Sequence, residues 1–190
     1  MTFWEKILAY GFRWSWHFTW TGDTEWKADI PLILKYPTRG DFYSAVGPAF
    51  KAAAKDLGMN WLLIVAQASL ESRFGNSQLS VNDNNYFGIT AGSWLEKKKP
   101  VVNYPTHEQD PTGKTRIENR WFRKYGSIDE CVEDWAHIIK TLYPKALEAA
   151  QRGDVQNYFG ELKRGGYATD NQYVGLLLLH HDTVMREATV

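Results

Sequence analysis

The 190-residue chain is poor in cysteine, in net charge and in long apolar runs, and each shortage excludes a class of protein. Cys131 is the only cysteine, so no disulfide forms within the chain and no cluster of thiolates can hold zinc. It lies in "IDECVEDWAHIIKTLY", whose helical periodicity predicts a buried thiol rather than a nucleophile, which would need a positioned base. Lys plus Arg and Asp plus Glu both total 22, so no global field draws the molecule to nucleic acid. "VGLLLL" falls far short of the ~18 apolar residues of a membrane span. The start, "MTFWEKILAYGFRWSWHFTW", has no basic segment, apolar stretch and small-residue cleavage site in signal-peptide order. The expectation is a protein made in the cytoplasm, without a membrane span or a recognisable export signal. Metal and cofactor signals are also missing. His180 and His181 are adjacent, about 100° apart on a helix, unlike the i, i+4 pair of a zinc site. No phosphate-cradling glycine loop or nucleophile-elbow serine occurs. No metal and no cofactor are expected.

What is present is apolar and aromatic: 44% hydrophobic and 15% aromatic, with nine Trp, a composition that folds. Residues 1–40 stand apart. Phe12, Trp14, Trp16, Phe18 and Trp20 alternate with smaller or polar residues at the period of a half-buried strand. Pro31, Pro37 and Gly40 then punctuate the chain. The reading is an aromatic-rich extension over 1–40 and a single domain over 41–190. In that domain Asp41 is expected to cap a helix that closes at Gly58, and Asn60 to cap an apolar helix over 60–72. Residues 73–100 carry turn chemistry. "VVNYPTHE" and "TRIENRWFRKY" flank "QDPTGK" and predict a β-hairpin with Pro105 on an edge strand. Ser127 and Glu130 predict a capping box for the next helix, and two more helices surround "GGYATD". The fold class is α+β, mostly α: a helical body with a small hairpin able to wall a cleft.

"WLLIVAQASLESRFG" (61–75) raises the chemical question. Leu63, Gln67 and Glu71 share one helix face, and Glu71 falls at the end of an apolar run. A carboxylate in apolar surroundings has a raised pKa and retains its proton near neutrality, which a glycosidic general acid requires. A solvent-exposed helix-end Glu, or one paired with Arg73, fits the spacing equally well.

Four further motifs follow in order. "AQASLESRFGNS", "NNYFGI", "THE" with "WFRKYGS", and "GYATDNQY" resemble the glucosaminidase family of peptidoglycan hydrolases, glycoside hydrolase family 73, over roughly residues 41–182. Asn171 stands where that family usually has proline, and "AGSWLEKKKPV" is only loosely similar.

The resemblance implies a lysozyme-like fold, with a helical body and a β-lobe flanking a sugar-binding cleft. It implies Glu71 as general acid and places the second carboxylate at Glu108, as a base for water or as a stabiliser of an oxocarbenium-like centre. Glu118 is the fallback if the hairpin register differs. Tyr167 matches the family's cleft tyrosine, Phe87 and Asn85 match the loop after the catalytic helix, and all three are expected to bind substrate. Gln67 is expected to orient acid or substrate, and Tyr173 and Trp94 are expected to stack on sugar. Asp170 is expected to cap the following helix. The implied activity is an endo-β-N-acetylglucosaminidase acting on peptidoglycan glycan strands at the bond from N-acetylglucosamine to N-acetylmuramic acid. A muramidase or lytic transglycosylase cutting the opposite bond is the rival, and a non-catalytic wall-binding module is the alternative of another class. A monomer acting on the cell wall is expected, delivered by lysis, phage or a Sec-independent secretion system. Residues 1–40 are expected to dock a carrier or immunity protein.

Overall fold

The computed structural model describes residues 34–109, 115–168 and 170–188, without the side chains of 106–109, 115, 116 and 118. Seven helices are described: α1 Arg39–Leu57, α2 Trp61–Ser72, α3 Gln78–Asp83, α4 Ile128–Leu142, α5 Pro144–Gln151, α6 Val155–Arg164 and α7 Tyr173–Glu187. Between α3 and α4 runs one hairpin, β1 Val101–Gln109 against β2 Thr115–Arg123, with a 3₁₀ turn at Gly92–Trp94 before it. Helical body and small β-lobe are thus as expected from the sequence. The aromatic alternation and the docking role expected of residues 1–40 lie outside the described residues, except at the segment's last positions.

The compact unit runs from Lys35 to Val190. Its first helix begins three residues earlier than expected, because Thr38 rather than Asp41 is the N-cap. Thr38 Oγ1 accepts the Asp41 N–H, and the Asp41 carboxylate accepts the Thr38 N–H at 2.9 Å. Asp41 is thus the third helical residue of a capping box. Ser127 caps α4, but Glu130 returns its carboxylate to the Gly126 N–H rather than to Ser127. The segment 73–100 also contains α3, which Ser77 caps. Its six residues span under two turns, too few for periodicity to announce it.

α2 is the centre of the body. Leu62 through Ser69 are all buried, as befits a helix apolar on every side, and α1 and α7 pack against it. Around it Phe42, Phe50, Phe87, Trp135, Tyr158 and Phe159 fill the core. Among the described residues no helix is long and apolar enough to cross a membrane.

Candidate active site

Two features put Glu71 at the edge of this core. Its helix is anchored by apolar burial, and it stops abruptly one residue later. Arg73, Phe74 and Gly75 take φ values of 56°, 53° and 73°, three successive left-handed residues that turn the chain away. For Phe74 this conformation is uncommon. The turn is held by Phe74 N–H to Ser69 O at 3.0 Å, Ser77 N–H to Ser72 O at 2.8 Å and Gly75 N–H to Ser72 Oγ at 2.8 Å.

Glu71 is only partly accessible, its carboxyl lying between the Tyr173 hydroxyl and Gly88. Burial pushes its pKa from 4.5 up to about 7, against the opposing effect of a hydrogen bond from Tyr173. Tyr173 Oη donates to Oε1 at 2.9 Å. Oε2 lies beside Gly88, where an added Cβ would come within 3.6 Å of it. Gly88 has φ 64°, a left-handed turn that glycine takes without strain. Tyr167 stacks on Tyr173 with centroids 6.2 Å apart and 17° between planes, and its hydroxyl donates to Phe87 O at 3.1 Å. Glu71, Gly88, Tyr167 and Tyr173 thus form one cluster, assembled from α2, the loop after α3, and the loop and helix around "GYATDNQY".

Asn85 and Phe87 lie beneath that cluster rather than on its surface. Asn85 is 1% exposed; its Nδ2 donates to Ile89 O and Arg123 O, both at 2.9 Å, and its Oδ1 accepts from Ile89 N–H. One amide therefore folds the 85–89 loop and ties it to β2. Phe87 is stacked on Trp135 at 4.9 Å and 18° in the core. Gln67 is fully buried, accepting from Tyr158 Oη at 3.1 Å. Its Nε2 has no hydrogen-bond partner among the described residues.

Trp94 belongs to another place. Lys99 Nζ lies 4.7 Å and the Arg123 guanidinium 5.0 Å from its ring, and Tyr125 meets it edge-on. It lines a cavity of about 590 Å³ with Lys99, Pro100, Lys124 and Tyr125. That cavity contains none of the Glu71 cluster. Glu108 occupies β1 opposite Arg116, and Glu118 occupies β2 opposite Thr106; both side chains lie outside the described set. Asp170 Oδ1 accepts the Gln172 N–H at 2.8 Å just ahead of α7.

Sequence reasoning missed Tyr158, because "NYFGELK" marks it only as one apolar position of an amphipathic helix. It also missed the bond from Tyr173 to Glu71, since 102 residues of chain separate the two. Burial raises the Cys131 thiol to about 12, which leaves it unreactive. His180 is neutral in its buried place, its pKa lowered to about 4 by burial. It stacks on Phe74 and hydrogen-bonds Ser69 Oγ at 2.8 Å through Nδ1.

Comparison with known proteins places these residues in context. A glucosaminidase family model, described as mannosyl-glycoprotein endo-beta-N-acetylglucosaminidase, matches residues 47–184. The peptidoglycan hydrolase FlgJ of Vibrio cholerae is 31% identical over 158 residues, 80% of this chain and 46% of that protein. The exo-glucosaminidase LytG of Bacillus subtilis is 35% identical over 118 residues, 58% of this chain and 39% of its own length. The chain thus spans about half or less of these relatives. A peptidoglycan hydrolase mutant from Sphingomonas sp. A1 superposes with a TM-score of 0.67 at 30% identity, covering 78% of this chain and 96% of that one.

Proposed function

The chain belongs to the glucosaminidase family, and from that premise we propose that it is a peptidoglycan hydrolase, an endo-β-N-acetylglucosaminidase. It cuts the β-1,4 bond from N-acetylglucosamine to N-acetylmuramic acid. The observation that carries the reading is the Glu71 carboxyl, held by burial at a pKa of about 7 at the edge of a tyrosine-lined cluster. At neutral pH a substantial fraction of molecules then carry the proton that the leaving glycosidic oxygen must receive. As the C1–O bond breaks, the proton passes from Glu71 to that oxygen, and the resulting carboxylate is stabilised by the Tyr173 hydroxyl. Glu108 serves the other half of the reaction from β1, either as a base for the attacking water or by orienting the substrate's own 2-acetamido group. Asn85 and Phe87 support the reaction from below by fixing the loop that carries Gly88. Gln67 fixes the helix one turn before the acid.

Peptidoglycan isolated as intact sacculi provides the test. Digestion should release fragments ending in reducing N-acetylglucosamine. Reducing N-acetylmuramic or anhydro ends would reject this bond in favour of the muramidase or transglycosylase reading, and release of single sugars only would reject endo action. A Glu71→Gln protein that digests sacculi at the unaltered rate would remove Glu71 from the reaction. Absence of turnover from the unaltered protein, with glycan binding intact, would favour the wall-binding module.

A further inference from the structure

One face of the hairpin is not used by the Glu71 cluster. The register pairs Asn103 with Trp121 and Pro105 with Asn119. Directly opposed residues project to the same side of a sheet, as do positions two apart on a strand. Asn103, Pro105, Asn119, Trp121 and Ile117 therefore share one face. Tyr104 is on the other, its hydroxyl donating to Asp83 Oδ2 at 2.7 Å. Ile117 is 67% and Trp121 47% exposed, and Pro105 and Asn119 are exposed as well. The indole of Trp121 meets no other ring or cation among the described residues, in contrast to Trp94, which Lys99 and Arg123 cover. At the base of the same face Arg123 is neutralised by Asp134 at 2.6 Å. The described side chains beyond it carry no charge.

We propose that this face is a second glycan-binding surface, on which a neutral N-acetylated sugar of the wall polymer stacks on Trp121 between the amides of Asn103 and Asn119. This rests on the hydrolase reading above and adds a subsite to it. The chemistry matches on three counts. A pyranose ring presents an apolar C–H face to an open indole. Its hydroxyl and acetamide groups need uncharged donors and acceptors, which two flanking asparagines supply in both senses. Beyond the Arg123–Asp134 pair the described side chains of this face are uncharged, so a neutral sugar that covers them buries no unpaired ion. A membrane surface or an acidic partner would instead call for free basic residues around the Trp, and the basic side chain described on this face, Arg123, is already paired with Asp134. The surface would hold a long strand on the β-lobe while the bond to be cut lies at Glu71.

The test separates binding from turnover. In a Glu71→Gln background, which leaves the polymer uncut, affinity for insoluble sacculi is measured with Trp121, Trp121→Ala and Trp121→Phe. The alanine variant should bind about fivefold more weakly, as loss of one aromatic stacking contact implies, and the phenylalanine variant should recover most of the difference. Equal binding by all three, with near-ultraviolet circular dichroism showing an intact fold, would overturn the second surface. Concentration-dependent dimerisation abolished by Trp121→Ala, without change in sacculus binding, would overturn it in favour of a self-interface. Release of reducing ends from sacculi by the protein with Glu71 intact reports the hydrolase reading independently.

Discussion

At the residue scale the proposed chemistry turns on how one carboxyl keeps its proton. Glu71 has a folded-state pKa raised from 4.5 to about 7, so between those values the folded state binds more protons than the unfolded chain. Stability linked to this group is present below pH 4.5 and is lost as pH rises through 7. Glu71→Gln should therefore raise the melting temperature at pH 8, by the equivalent of about 1–3 kcal/mol, and change it little at pH 4. The same substitution should lower turnover of sacculi by about a hundredfold or more, the usual contribution of a general acid. Tyr173→Phe discriminates further. The Tyr173 hydroxyl lowers the Glu71 pKa by bonding to its ionised form, so removing it should raise that pKa. The alkaline limb of the kcat/KM profile should then move to higher pH while the maximum rate falls. An unmoved limb would mean that Glu71 does not set it.

At the scale of elements, the decisive piece is the turn that ends α2. Gly75 has φ 73°, and an added Cβ would lie 2.4 Å from the Tyr36 ring and 2.9 Å from Phe42. Gly75→Ala therefore meets both backbone strain and overpacking and should cost about 2 kcal/mol or more, read as a lower urea midpoint at unchanged slope. The sequence showed α2 and its Asn60 cap plainly, because the unbroken apolar run Trp61–Ala66 continues with Ala68 and Leu70 after a cap residue, and Asn60 Oδ1 does accept the Leu62 N–H. It also showed the hairpin, since the turn-forming sequence Asp110-Pro111-Thr112-Gly113 between β-rich arms is a local signal. Thr38 was harder to see as a cap than Asp41, because both side chains of a capping box carry cap chemistry and only geometry tells which one precedes the helix. Asn85 and Phe87 were legible as important but not as supports. A motif preserves residue types without saying which side of a loop each faces. The Glu71–Tyr173 bond was invisible for a different reason: the tertiary packing of α2 on α7 creates it, and no spacing encodes that.

At the scale of the molecule, the question is where the compact unit begins. The expected boundary was between residues 40 and 41, whereas the compact unit starts at Lys35. Lys35 Nζ donates to Tyr86 Oη at 2.9 Å and to Ser80 O and Asn84 Oδ1 at 3.3 Å. Tyr36 exchanges two backbone hydrogen bonds with the Asn76 side chain, N–H to Oδ1 at 3.0 Å and Nδ2 to O at 2.9 Å. Its hydroxyl lies 2.8 Å from that of Tyr86, and its ring meets Phe42 edge-on at 5.6 Å. Lys35 and Tyr36 thus pin α1, the turn after α2 and the loop after α3 together, the last two of which adjoin Glu71 and carry Gly88. Two truncations isolate this clasp. A chain beginning at Lys35 keeps all of its contacts and is the reference for melting and for digestion of sacculi. A chain beginning at Asp41 forfeits the Thr38 cap, the Tyr36 ring and the Asn76 and Tyr86 hydrogen bonds. That loss sums to roughly 3 kcal/mol or more, a fall of roughly 10 °C in Tm for a domain this size. Its turnover should fall at temperatures where its fold is still intact, because the freed 73–88 region no longer holds the carboxyl and the loop glycine in register. If both truncations melt alike, the clasp contributes nothing and the boundary at residue 40 stands.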